Sequence, residues 1–195
     1  MSDMFDNSQL IDELLATVAL TELSPDVFEG ASHDYVGSRI FGGQVLAQAI
    51  MAASHTLNED KPCHSLHGYF LRGGDIKQPV IYQVRRLRDG RSLSAREVTA
   101  IQYKQVKGKE PIEQVIFSMI ASFSPAEEGL EYQESMPVYP PPEDLASEQE
   151  LKDEHVGKVP DALKARFMRR RHVEIKPVKP RDPINPTPMK PKQAN

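Results

Sequence analysis

Hydrophobic residues along this chain fall into segments with different periodicities, and these segments predict its helices and strands. From Val45 to Ala53, apolar residues occupy nearly every side of a helix rather than one stripe, which is typical of a helix enclosed by protein. Four alanines keep this helix thin, so that a sheet can approach it closely. We therefore expect a buried helix from Gly43 to Thr56, wrapped by an antiparallel sheet.

The residues after this helix are expected to form that sheet. Runs rich in strand-forming residues predict strands at 63–72, 80–88, 92–106 and 112–123, and a short strand at 26–32 leads into the helix. Asp89-Gly90 is suited to a type I′ hairpin turn, and Lys107-Gly108-Lys109 forms the next turn. This order of elements predicts an α+β domain that ends near Ser124.

Both flanks of this domain carry weaker patterns. An amphipathic helix is expected at 8–18, with Asp12 and Glu13 outside and an apolar stripe facing the protein. The stripe consists of Leu10, Ile11, Leu14, Leu15 and Val18. After a proline-rich loop at 125–142, helices are expected at 143–155 and 162–170, and a strand at 173–178. We thus predict that residues 1–124 form the domain and that residues 125–195 form a linker with short helices.

Composition narrows the class of protein. The net charge is −4, although residues 169–195 carry about +6, and twelve of the sixteen prolines lie at or after Pro125. The one cysteine, Cys63, excludes an intrachain disulfide and favours a reducing cytoplasm. The acidic start at Met1–Asp6 does not resemble a secretory signal, and no apolar run reaches membrane-spanning length. We expect a soluble cytoplasmic protein without a membrane partner.

Few residues suggest chemistry when they are considered alone. His64 and His67 lie three apart in a predicted strand, which places them on opposite faces and argues against a shared zinc ion. Neither a Gly-x-Ser-x-Gly motif nor a phosphate-binding glycine motif is present. We therefore expect no metal and no cofactor.

The pair Gly42-Gly43 is the strongest candidate, because it opens the predicted buried helix. A helix N-terminus presents free N–H groups and a partial positive charge, and glycines let a carbonyl oxygen or phosphate approach closely. Gln44 would lie beside them as a neutral hydrogen-bonding side chain. The alternative is that the glycines only allow the helix to pack tightly against the sheet.

Two groups of arginines allow further interpretations. The cluster at 169–172 could contact nucleic acid, but it lacks interleaved aromatic residues and the whole protein is acidic, so a solvated helix end or a salt-bridging edge is the favoured interpretation. A second group surrounds the predicted hairpin and either binds phosphates or protects an exposed sheet edge. It consists of Arg85, Arg86, Arg88, Arg91 and Arg96.

Three stretches together resemble the N-terminal half of acyl-CoA thioesterase II. They are Arg39-Ile-Phe-Gly-Gly-Gln-Val-Leu-Ala-Gln-Ala, His64-Ser-Leu-His-Gly-Tyr-Phe-Leu-Arg-Gly-Gly-Asp75 and Leu87-Arg-Asp-Gly-Arg-Ser-Leu-Ser-Ala-Arg96, with Met119–Phe123 as a weaker match. The resemblance implies a hotdog fold, a long helix wrapped by an antiparallel sheet. It also implies hydrolysis of fatty acyl-CoA to fatty acid and CoA, and 173–178 resembles the first strand of a second hotdog.

The resemblance also implies what this chain lacks. In the family, an Asp, a Thr and a Gln of the second hotdog position the attacking water, and no residue here matches them, so we expect the catalytic residues beyond Asn195. The substrate-binding candidates are Gly42, Gly43, Gln44 and His64. This chain alone is expected to be inactive and to form a homo-oligomer through its sheets, without nucleic acid. The alternative is a non-catalytic acyl-CoA-binding or assembly module.

Overall fold

The structure is a computed structural model that describes residues 7–33, 39–58, 61–169, 171–182, 184 and 187–188. The chain divides into two compact units. One comprises residues 11–129, and the other comprises residues 1–10 together with 130–195. The expected end of the first domain near Ser124 stays a prediction. The expected acidic start, Met1–Asp6, and the last prolines of the tail lie outside the described residues.

The unit of residues 11–129 contains a six-stranded antiparallel sheet and a central helix. The helix that precedes the sheet, α1, spans Asn7–Val18, and the central helix, α2, spans Gly42–His55. The strands lie in the order β1-β2-β4-β5-β6-β3. Their bounds are β1 Leu20–Ser24, β2 Val27–Gly30, β3 Cys63–Phe70, β4 Val80–Asp89, β5 Ser94–Lys104 and β6 Ile112–Phe123.

The core lies between α2 and the inner face of the sheet. Ala49, Ala52 and Ala53 are fully buried on the helix, and large side chains face them from the strands, among them Tyr82 and Phe117. The small alanines let the helix lie close to the strands, as the sequence predicted. The opposite side of α2 is only half-covered, so the helix is largely buried but not enclosed all round. The half-buried residues are Leu46, Ala47, Ile50, Met51 and Ser54.

Helix α1 has the predicted extent but not the predicted burial. Ile11 and Leu15 are 55% and 59% exposed, and Leu14 is 40% exposed. The apolar stripe is therefore not covered by the described residues, although the periodicity of the sequence predicts a covered face. A helix forms from local spacing, whereas its burial depends on a neighbour that spacing does not supply.

Three local predictions about strands and turns are corrected by the structure. The β4–β5 connection is a four-residue loop in which Leu93 accepts a hydrogen bond from Gly90 N–H, so the Asp89-Gly90 type I′ turn is wrong. Gly108, by contrast, has the positive φ (72°) that a tight turn requires. Strand β1 was not expected, and it pairs with β2 through a turn at Asp26, whose φ is 62°. The strand predicted at 173–178 does not form.

The C-terminal end of α2 is anchored by a buried arginine. Arg96 is fully buried and donates to Thr56 Oγ1 (2.6 Å) and Thr56 O (3.1 Å). It also donates to Arg88 O at 2.9 Å, Ala95 O at 3.0 Å and Asp89 Oδ1 at 2.6 Å. A cation suits a helix C-terminus because the carbonyl groups there carry partial negative charge. Arg96 thus ties the helix to the β4–β5 hairpin.

The second unit contains two short helices, α3 at Glu148–His155 and α4 at Asp161–Phe167. Ser147 caps α3 in a capping box with Glu150, and hydrogen bonds from the backbone and hydroxyl of Ser147 lower the pKa of Glu150. In place of the expected strand, Ile175 O accepts a hydrogen bond from Glu148 N. The helices predicted at 143–155 and 162–170 are both shorter than expected, because α3 begins only at Glu148 and α4 already ends at Phe167.

Candidate functional site

The N-terminus of α2 is open to a ligand. Its N-cap residue is Phe41, which has no side-chain acceptor, and within the described part of the chain nothing accepts a hydrogen bond from the N–H of Gly42 or Gly43. A Cβ at Gly42 would lie 3.1 Å from the Phe70 ring, and one at Gly43 would lie 2.4 Å from the Phe41 ring. Gly42 therefore lies close to β3, whereas Gly43 lies close to the ring of the N-cap residue, and the side chain of that residue cannot cap the amides.

A cavity of about 410 Å³ adjoins this helix end. Its apolar wall includes Val45 of α2 and Ile116 of β6, and two arginines, Arg39 and Arg72, add positive charge. No aspartate, glutamate, histidine, serine or cysteine lines it among the residues that the structure describes. The lining residues are Arg39, Ile40, Gly42, Val45, Phe70, Leu71, Arg72, Gly73, Gly74 and Ile116.

Backbone pairing brings the two arginines to one place. Arg39 forms a β-bridge with Asp75, and Ile40 N donates to Gly74 O at 3.1 Å. Arg72 lies just after the end of β3 and remains next to β6, because its Nη1 donates a hydrogen bond to Val115 O at 2.8 Å. The segment between them is held by Gln102, whose side-chain amide donates to Asp75 O and accepts from Asp75 N. Residues 33 positions apart in sequence thus line one cavity.

Gln44 is directed away from this cavity. Its side chain is buried, and Nε2 donates to Ala31 O at 2.7 Å. Gln48, one turn later, donates to the same carbonyl and to Thr17 O, and accepts from Tyr82 Oη at 2.7 Å. Gln44 Oε1 has no partner in the described part of the chain. The two amides therefore fix the end of β2 against α2.

His64 lies far from the other predicted site residues. Its Nε2 is 2.9 Å from Ser122 Oγ, at the opposite end of β3 from Phe70, which contacts Gly42. Phe70 lies six positions after His64, a distance of roughly 20 Å along the strand. The register is irregular between Cys63 and Ser65, and His64 lies at this irregularity.

The arginines around the β4–β5 hairpin do not form one phosphate site. Arg96 is buried, Arg86 binds Asp26 in the β1–β2 turn, and Arg85 pairs with Glu97 across the strands. Hydrogen bonding to Asp26 raises the pKa of Arg86. Arg88 and Arg91 are exposed, and their guanidinium groups have no ion-pair partner among the described residues.

Of the predicted substrate-binding residues, Gly42 lines the cavity and Gly43 follows it in the chain. Neither Gln44 nor His64 lines it. Sequence reasoning did not select Arg39 and Arg72. A signal was present, because each arginine shortly precedes a glycine pair. The described residues hold no cluster of three or more His, Cys, Asp or Glu side chains suited to a metal. In the same part of the chain, every helix is too short or too polar to cross a bilayer.

The sequence of this chain is similar to those of known proteins. Residues 31–124 match the acyl-CoA thioesterase N-terminal domain family. Over 92% of its length, the chain is 36% identical to acyl-CoA thioesterase 2 of Haemophilus influenzae, of which it covers 60%. It is 41% identical to human acyl-coenzyme A thioesterase 8 over 92% of this chain and 56% of that protein. The chain thus spans 60% or less of the length of these curated relatives.

Solved structures agree with the fold. An acyl-CoA thioesterase II from Mycobacterium marinum is 37% identical, with a TM-score of 0.54 over 66% of this chain and 44% of that one. A protein of unknown function with a hot dog fold from Alicyclobacillus acidocaldarius matches with a TM-score of 0.56 at 23% identity, over 68% of this chain and 47% of that one. The α+β hotdog fold that the sequence predicted is confirmed.

Proposed function

We propose, from the premise that this chain belongs to the acyl-CoA thioesterase II family, that it forms part of an enzyme that hydrolyses fatty acyl-CoA to free fatty acid and CoA. The activity of the whole enzyme is part of the proposal, because the chain spans only part of its relatives' length. Within that enzyme, residues 1–195 supply a wall of the acyl-CoA site but not the group that activates water.

The composition of the cavity at the N-terminus of α2 is the observation that carries this proposal. Guanidinium groups of Arg39 and Arg72 suit the phosphates of CoA, and the uncapped amides of Gly42 and Gly43 suit a thioester carbonyl oxygen. The exposed apolar residues Phe70 and Leu71, together with the buried wall, suit an acyl chain.

The same cavity supports a binding role rather than a catalytic one. Hydrolysis of a thioester requires a base or a carboxylate that orients water, and guanidinium and amide groups have no useful basicity near neutral pH. Gln44, the polar side chain closest in sequence to the two glycines, is a neutral amide held by Ala31 O. We therefore infer that residues 1–195 alone bind acyl-CoA and have little or no turnover.

Calorimetry and thiol release test the two parts separately. We expect residues 1–195 to bind a non-hydrolysable thioether analogue of a long-chain acyl-CoA, and Arg39→Gln to weaken this binding about tenfold by removing a charged hydrogen bond to phosphate. Arg91→Gln, which removes an exposed arginine outside the cavity, is the matched control. Equal binding by both variants would exclude the cavity as the CoA site.

For hydrolysis, full-length Haemophilus influenzae acyl-CoA thioesterase 2 is the comparison protein. We expect release of CoA thiol from that enzyme and release at the uncatalysed rate from residues 1–195, because base catalysis typically contributes 10²- to 10⁴-fold in rate. Comparable turnover by residues 1–195 would show that the catalytic groups lie within this chain.

A non-catalytic acyl-CoA-binding or assembly module is the second candidate function. Among the described residues, the lining of the cavity holds no side chain that can act as a general base, and this favours the module as much as it favours the first proposal. Fusing residues 1–195 to the C-terminal part of the Haemophilus influenzae relative distinguishes them. Turnover by the fusion supports the enzyme, whereas binding without turnover supports the module.

We also propose that the chain assembles through its sheet in a reducing cytoplasm. Strand β3 is an end strand that pairs with β6 on one side, and its residues are mostly exposed. An unpaired strand edge favours pairing with another chain. The boundary of the first domain near Ser124, where β6 has just ended, is part of the same proposal.

A further inference from the structure

Residues 126–139, here called the acidic segment, carry apolar side chains that the described part of the chain leaves exposed. Leu130 and Val138 are 107% and 98% exposed, and Tyr132 and Met136 are 88% and 76% exposed. These four occupy even-numbered positions, and the segment forms neither helix nor strand. In an extended chain, residues two apart lie on one face. The segment therefore presents an edge on which these four exposed apolar side chains alternate with Glu128 and Glu134.

The backbone and the charged side chains of the acidic segment also lack hydrogen-bond and ion-pair partners among the described residues. Within the described part of the chain, no hydrogen bond or ion pair involves residues 126–139. The segment carries four glutamates and no lysine or arginine, and its single proline, Pro137, lies near its C-terminal end. The glutamates are Glu127, Glu128, Glu131 and Glu134. An extended acidic chain whose backbone amides are free, and which carries exposed apolar side chains, is suited to pairing with a basic strand edge.

A surface with positive charge and exposed apolar side chains lies on the unit of residues 11–129. Strand β2 covers β4 only as far as Gln83, with one further bond from Val84 N to Asp26 O, so the edge of β4 beyond it has no strand partner among the described residues. Leu87 and Leu93 are 42% and 41% exposed there. We call this surface the hairpin patch, and it consists of Arg85, Leu87, Arg88, Arg91 and Leu93.

The positive charge of the hairpin patch indicates that its partner is acidic. Arg88 and Arg91 are the two hairpin arginines for which the described residues provide no ion pair, so the patch is positive. The register is irregular between Arg86 and Arg88, and an irregular, positively charged edge opposes pairing with another basic strand. The same charge favours an acidic one.

We propose that the acidic segment of one copy of this chain docks on the hairpin patch of a second copy. The residues of both surfaces are exposed, and the negative charge of the one complements the positive charge of the other. Reciprocal docking would place the 14 residues of the acidic segment and the five of the hairpin patch of each copy in the interface, close to the roughly 20 residues a side at which stable complexes begin. This contact is independent of acyl-CoA binding and of pairing at β3.

Charge reversal in the full chain tests the proposal by sedimentation velocity. Glu131→Lys/Glu134→Lys and Arg88→Glu/Arg91→Glu should each weaken self-association at least tenfold, because each places like charges together. An equimolar mixture of the two variants should associate as the unmodified chain does, since each copy then offers the charge that the other lacks. Such restoration between different molecules also distinguishes docking between copies from docking within one.

Matched controls make the same charge changes at the same spacing elsewhere. Glu110→Lys/Glu113→Lys and Lys104→Glu/Lys107→Glu alter exposed residues outside both surfaces and should leave association unchanged. Association of the test variants equal to that of these controls would overturn the proposal, as would a monomeric unmodified chain or a mixture that does not recover. If only the edge of β3 mediates assembly, all four variants associate normally, which overturns this inference and leaves the proposed function intact.

Discussion

At the scale of single residues, Arg96 has the largest predicted effect on stability. Replacing it by Met leaves Thr56 O and Arg88 O without their buried donor, at about 1–3 kcal/mol for each unpaired acceptor. Lys cannot reproduce the planar fork of five N–H donors, so Arg96→Lys is also expected to destabilise. Urea denaturation measures the free energy of unfolding, with Arg91→Met as the exposed control. Equal values for Arg96→Met and the control would contradict the anchoring role.

Tyr82 gives a prediction about pH. Burial raises the pKa of Tyr82 far above its ordinary value of about 10, so the unfolded chain loses this proton first as pH rises. The native state therefore binds more protons than the unfolded state, and stability falls above about pH 10. Phenylalanine carries no such proton, so the free energy of unfolding of Tyr82→Phe should fall less steeply above about pH 10. The difference should be up to about 1.4 kcal/mol for each pH unit.

The same substitution has an opposite effect at neutral pH. Tyr82→Phe removes the donor to Gln48 Oε1 and should cost about 1–3 kcal/mol. Urea denaturation at pH 7 and above pH 10 measures both effects, and Tyr132→Phe, which changes an exposed ring, is the control. An identical pH dependence of stability in Tyr82→Phe and the unmodified chain would rule out the assigned burial.

At the scale of elements, close packing of α2 against the sheet is directly testable. Ala49→Leu or Ala52→Leu inserts a large side chain at a fully buried position and should cost about 1–3 kcal/mol. Ala47→Leu, on the half-covered side of the same helix, is the matched control and should cost less. Thermal denaturation gives the comparison. Equal melting temperatures for all three variants would argue against close wrapping.

The predictability of elements depends on whether their signal is local. Sequence periodicity gave α2 within one residue at each end and β6 at both of its ends, because spacing and turn residues define them. Strand β1 was missed because only five residues form it and most are exposed. The predicted strand at 173–178 was wrong because strand propensity does not provide a neighbouring strand.

At the scale of the whole molecule, we expect the chain to associate in solution. The open edge of β3 and the uncovered apolar residues of α1 both favour contact with another surface. Light scattering across a series of protein concentrations should give a mass of at least two chains. A single-chain mass at the highest concentration would contradict both the proposed pairing and the proposed docking of the acidic segment.

The sequence by itself determined the family, the hotdog fold and the central helix. Its motifs and periodicities lie within short stretches, so neighbouring residues suffice to specify them. It also indicated that the start of α2 is a candidate site, because helix N-termini with glycines expose amides. That Gln44 stands in place of the catalytic carboxylate, which the resemblance to the family implies elsewhere, stays a prediction.

The tertiary structure decided which side chains share the site. Arg39 and Arg72 meet in one cavity because the bridge between Arg39 and Asp75 joins distant segments. Gln44 leaves the cavity because Ala31 O accepts its amide, and His64 lies at the other end of β3. Arg96 is buried because Thr56 and the hairpin supply its acceptors. Each outcome depends on partners far away in sequence, which a local pattern does not specify.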